Sequence, residues 1–119
     1  MKKILALIIL ITFVMVSGCK KDELPKESLN GTSWAAAYGD YTLWIHFTSD
    51  VAFLEFMGDE TGNPCSTGVC YGTYSFANNR VDFLTHESTS PFDYAILEGD
   101  GSMLNLTYKS GYTRMFAKK

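Results

Sequence analysis

Tyr41-Thr42-Leu43-Trp44-Ile45-His46-Phe47 is the stretch that decides the fold. Tyr41, Leu43, Ile45 and Phe47 fall on one side of an extended chain, and Thr42, Trp44 and His46 on the other. A helical period would scatter these residues around the axis. Gly39-Asp40 precedes the run and Thr48-Ser49-Asp50 follows it, and both are turn-forming clusters. A seven-residue run with period two, bounded by turns, is a half-buried strand.

The same grammar extends in both directions. Short runs rich in aromatic and β-branched residues recur from Leu29 to Lys119, broken by turn signals, and none has a convincing helical period. Strands are expected at residues 32–37, 41–47, 51–57, 69–76, 80–85, 92–98, 102–108 and 112–117. Residues 58–64 form a long turn. Asn78-Asn79 is a tight hairpin signal. In the sixth run Phe92, Tyr94 and Ile96 oppose Asp93, Ala95 and Leu97. In the fifth, Val81 and Phe83 oppose Arg80 and Asp82. The connections are too short for crossover helices, so neighbouring strands run antiparallel. The expected fold is therefore all-β: a small antiparallel meander of about eight strands, closing into a barrel that removes its edges.

The region before the strands reads differently. Lys2 and Lys3 precede a run, Ile4 to Val16, that is apolar apart from Thr12. The run is shorter than the roughly 20 residues a membrane-spanning helix needs. Val16-Ser17-Gly18-Cys19 then resembles the lipobox of bacterial lipoproteins. That resemblance implies a signal peptide over residues 1–18, removed on export, and a lipid on Cys19. An uncleaved anchor helix and a plain secretory signal are the alternatives, but neither accounts for the cysteine. Residues 19–28 then form the anchor and a charged tether, which extended would reach about 30 Å from the lipid. Lys21-Asp22-Glu23 resembles the lysine-plus-two-acids export signal of surface-exposed lipoproteins of Bacteroidota. The implied location is the outer membrane, lipid-anchored and facing the cell surface.

The domain itself spans residues 29–119. The whole chain has a formal charge of −3. Without Lys2 and Lys3, eight basic residues face thirteen acidic ones, for a charge of −5. That balance argues against nucleic acid as a partner, which needs a basic footprint. Three cysteines leave Cys65 and Cys70 once Cys19 carries lipid. An exported compartment permits disulfides, so a Cys65–Cys70 bridge around Gly68 is expected. The competing reading, half of a metal site, lacks a second ligand pair.

Leu29-Asn30-Gly31-Thr32-Ser33-Trp34 opens the domain and Arg114-Met115-Phe116 closes it. With a strand meander between, this resembles small lipocalin-like lipoproteins. The resemblance implies that Trp34 and Arg114 pack together and close one barrel end. Here Trp34 lies three residues after Gly31 rather than two, and the domain is shorter than a full lipocalin.

No catalytic constellation is evident, so an enzyme is not expected. His86-Glu87-Ser88-Thr89-Ser90 lacks the second histidine of a zinc-binding helix motif. There is no Gly-x-Ser-x-Gly elbow. No metal site and no cofactor are expected, and His46 and His86 read as surface residues. Glu55 sits among Phe53 and Met57; either its face points outward or it is a polar handle in a cavity. Aromatics make up 14% of the chain. A concave face lined by Trp44, Tyr74 and Tyr94 would suit a small apolar or amphipathic ligand. The alternative is a protein-interaction module, an accessory subunit or inhibitor, using its loops against a protein partner.

Overall fold

Each run expected to be a strand is one. The computed structural model describes residues 28–119. Its strands are β1 (Ser33–Tyr38), β2 (Tyr41–Phe47), β3 (Ala52–Gly58), β4 (Pro64–Ala77), β5 (Arg80–His86), β6 (Phe92–Glu98), β7 (Met103–Tyr108) and β8 (Thr113–Lys118). They form a closed barrel in sequence order, every neighbouring pair antiparallel. β1 meets β8 through Trp34↔Lys118 and Ala35↔Ala117, which closes the circuit. The expected signal peptide, Cys19 and the expected tether up to residue 27 lie outside the described residues.

Alternation decides what fills the interior. Leu43, Ile45 and Phe47 of β2 point in, as do Trp34 and Ala36 of β1, Leu104, Leu106 and Tyr108 of β7, and Phe116 of β8. Each fully buried aliphatic or aromatic side chain contributes about 1.5–3 kcal/mol relative to exposure. Phe53 is the hub. Its ring lies 5.0 Å from Phe83, 5.1 Å from His86 and 5.7 Å from Phe92, centroid to centroid. Gly72 makes room for that ring: a Cβ there would come within 2.6 Å of two Phe53 ring atoms. Among the described residues, the closed circuit of strands surrounds one continuous core.

Asn78 and Asn79 take φ of 53° and 63°, the left-handed pair required by a two-residue hairpin turn between β4 and β5.

Two register irregularities re-aim side chains. On β5, Tyr74 pairs with Phe83 and Thr73 with Thr85, so Leu84 is an extra residue, 62% exposed. This bulge turns the next alternation over and sends His86 inward. On β6, Phe92 pairs with Tyr108 and Tyr94 with Thr107, so Asp93 is extra. Phe92, Ala95 and Leu97 therefore face the core, and Tyr94 does not. The expected face of Phe92, Tyr94 and Ile96 is corrected accordingly.

The barrel ends differ. At the end where Ser28 and the C-terminus lie, Leu29 and Trp34 are buried. The Leu29 carbonyl accepts from the Thr32 amide and hydroxyl, and Gly31 donates to Phe47. This plug closes that end. The opposite end carries the connections between β1 and β2, β3 and β4, β5 and β6, and β7 and β8. There the β5–β6 ladder stops at Asp82↔Tyr94, and the end stays open.

Candidate functional site

The open end holds a cavity of about 470 Å³. Its lining includes Tyr38, Leu43, Glu55, Met57, Cys70, Tyr108 and Arg114. Four hydroxyl residues, Ser88, Thr89, Ser90 and Ser110, come from the two connections that frame the mouth. The alternation that fills the core also aims these groups: Glu55 follows Phe53 inward on β3, Tyr108 follows Leu106 on β7, and Arg114 precedes Phe116 on β8.

Glu55 is thus the polar handle inside the cavity, not an outward residue. Its side chain is 12% exposed, and Oε1 lies 2.8 Å from His86 Nε2. His86 is 1% exposed, which corrects the expectation of a surface histidine. His86 Nδ1 accepts the Phe92 amide hydrogen at 3.0 Å. That bond fixes the tautomer: Nδ1 is the acceptor, so Nε2 carries the hydrogen and donates it to Glu55. The Leu84 bulge makes this pair possible. Without it His86 would point to solvent.

At the rim, Arg114 Nε donates to the Tyr108 hydroxyl at 3.3 Å and Nη1 to the Ala37 carbonyl at 3.0 Å. The guanidinium lies 4.9 Å from the centre of the Tyr38 ring and 5.2 Å from that of Tyr112. Burial pushes the Tyr108 phenol up, and its bond to Arg114 works in the opposite direction. Burial also raises the Cys70 thiol, assisted by the negative charges of Glu55 and Glu87. A thiol so placed stays protonated and is a poor nucleophile.

No protein-family model, no curated protein and no solved structure matches this chain. The eight-stranded antiparallel barrel is compatible with a lipocalin-like fold.

Of the three aromatic candidates, none lines this cavity. Tyr74 is in the core, its hydroxyl donating to the Ser49 carbonyl at 2.6 Å. Burial pushes that phenol up to about 12, with Asp50 adding to it. Trp44 is on the outer surface of the barrel, packed with Ala35 and Phe56. The turn after β3 covers it: Trp44 Nε1 donates to the Asp59 carbonyl at 2.8 Å. Asp59 builds that turn, and the Thr61 hydroxyl above all, with the Asn63 amide, holds its carboxyl down at about 2. Tyr94 is also outside, with the Arg80 guanidinium 4.2 Å from its ring centre. The three share no concave face, because the Asp93 bulge and the strand alternation send them in different directions.

The barrel-closing pair is corrected too. Trp34 donates from Nε1 to the Thr32 hydroxyl and sits opposite Lys118. Arg114 is four residues before Lys118 on β8, about 13 Å away at strand spacing. Each residue serves a barrel end, but they serve opposite ends.

The Cys65–Cys70 bridge is not formed: both thiols are free. Pro64 pairs with Gly58 and Val69 with Phe56, so β4 carries extra residues between them. This irregularity leaves Cys65 exposed, its Sγ 4.0 Å from the Asn63 carbonyl, while Cys70 stands opposite Glu55 at the cavity wall. His46 is on the outer face, Nδ1 2.6 Å from the Ser33 hydroxyl, and burial lowers its pKa. Among the described residues no group of three or more His, Cys, Asp or Glu side chains is placed to hold a metal ion.

Proposed function

We propose that this chain is an exported lipoprotein, held on the outer membrane through Cys19, whose barrel binds a small apolar or amphipathic ligand at its open end. The observation that carries the reading is the 470 Å³ cavity. That volume lies within the roughly 300–1,000 Å³ of small-molecule sites. Its lining has the expected composition: apolar walls from Leu43 and Met57 and the ring of Tyr108, with a few polar groups at fixed positions. The plug at the other end leaves the mouth as the route of entry. The lipobox-like run ending in Cys19 supports the anchor, and the acidic balance suits a domain held clear of anionic headgroups.

A second reading rests on the same end. Tyr38, Tyr41 and Tyr112 are exposed there, and exposed tyrosines are enriched where proteins dock. An interaction module would use this rim against a protein partner.

The test is binding of the neutral fluorophore phenylnaphthylamine by residues 28–119. The ligand reading expects saturable one-to-one binding that Met57→Trp, which fills the cavity, abolishes. Binding that ignores Met57→Trp, or no binding at all, would overturn it.

A further inference from the structure

Resting on the reading of the mouth cavity as a ligand site, we infer that its ligand carries a protonated amine, directed inward onto Glu55. The argument is one of unmet charge. The interior end of the cavity holds a carboxylate that is nearly removed from water. Such a group requires a cation or strong donors. His86 supplies one hydrogen bond without a positive charge, because its other ring nitrogen accepts the Phe92 amide hydrogen. Glu55 Oε2 makes no hydrogen bond among the described residues, yet no buried side-chain oxygen there lacks a partner. Oε2 is therefore open, and since Glu55 lines the cavity, it is open to the cavity.

Arg114 does not neutralise it. No ion pair joins Arg114 and Glu55 among the described residues; the guanidinium is spent on Tyr108, the Ala37 carbonyl and two tyrosine rings. The charge of Glu55 is felt by its neighbours, since it helps to raise both Cys70 and Tyr108. An ammonium group satisfies all of this at once: positive charge, up to three donors, and a compact shape that leaves its alkyl or aryl remainder against Leu43 and Met57. Arg114 stands at the rim, where solvent screens it from a cation passing inward.

The alternative chemistry is an anion taken by Arg114. Three probes of the same length separate them: hexylamine, hexanol and hexanoate, titrated calorimetrically into residues 28–119. Hexanol can donate to the Glu55 carboxylate, but hexylamine also brings a full positive charge to it, so hexylamine is expected to bind about tenfold more tightly than hexanol. Glu55→Gln is expected to remove that advantage, so that hexylamine and hexanol bind alike. If Glu55→Gln does not fold, the ranking of the three probes on the native sequence still decides. Hexanol or hexanoate binding as well as hexylamine overturns the amine assignment and leaves the cavity reading standing. Binding of none of the three overturns both.

Discussion

Gly72→Ala should destabilise the barrel more than any other single methyl addition to its wall. The added Cβ would meet the Thr85 backbone carbonyl oxygen and come within 2.6 Å of two ring carbons of Phe53. Neither neighbour has room to retreat. Thr85 is in the β4–β5 ladder, where Thr73↔Thr85 and Gly72↔His86 are adjacent pairs. The Phe53 ring is enclosed by Phe47, Phe83, His86 and Phe92. Forcing extra volume into a packed core costs about 1–3 kcal/mol. With a backbone atom on one side and a wedged ring on the other, the cost belongs at the upper end, about 3 kcal/mol. For a domain of this size each kcal/mol moves Tm by about 4–8 °C, so a fall of roughly 12–24 °C is expected in a thermal melt followed by circular dichroism. Phe53→Leu added to Gly72→Ala should cost less than the two separate losses combined, since the ring clash is gone. A Tm fall below about 2 °C, well under the shift expected for 1 kcal/mol, would refute the packing argument.

Three further outcomes follow from particular contacts. His86→Phe keeps the ring but leaves the Phe92 amide and Glu55 Oε1 without their partner, and should cost about 2 kcal/mol in urea denaturation; an unchanged midpoint would contradict the buried pair. Tyr74 is a phenol whose folded pKa, about 12, lies above its unfolded value. Its neutral form is the stabilising one, so its contribution is complete below pH 10 and is lost as pH rises toward 12. Tyr74→Phe should flatten that alkaline loss, and equal pH slopes for the two proteins would count against it. In double-mutant cycles Arg114→Met should couple to Tyr38→Leu by about 0.5–1 kcal/mol and be additive with Trp34→Phe; the reverse pattern would restore the Trp34 pairing.

The strand plan was legible because burial on one face imposes alternation, and β2 and β6 begin and end where the turn residues place them. Asn78-Asn79 announced its hairpin through the same chemistry that the backbone shows. The site was not legible, and the reason is register. A single extra residue at Leu84 inverts the facing of His86, and one at Asp93 does the same to Tyr94 relative to Phe92. No local signal marks either bulge, since both depend on how the partner strand is seated. Glu55 and His86 are 31 residues apart in sequence and meet only because β3, β4 and β5 are paired in this register. The parity of Phe53, Glu55 and Met57 was the signal available: taken literally, it places Glu55 inside. The cysteine spacing misled for a related reason. The spacing suggests a short loop between Cys65 and Cys70, where the structure has the irregular start of β4.

The central claim is that the open end of the barrel is a ligand site. It is tested most directly by ¹H–¹⁵N correlation spectra of residues 28–119 during a titration with hexylamine. Saturable shifts at Leu43, Glu55, Met57, Tyr108 and Arg114, with Trp44, Leu84 and Tyr94 unmoved, are the predicted result. Shifts that never saturate, or that gather on the outer face around Trp44 and Tyr94, would contradict it.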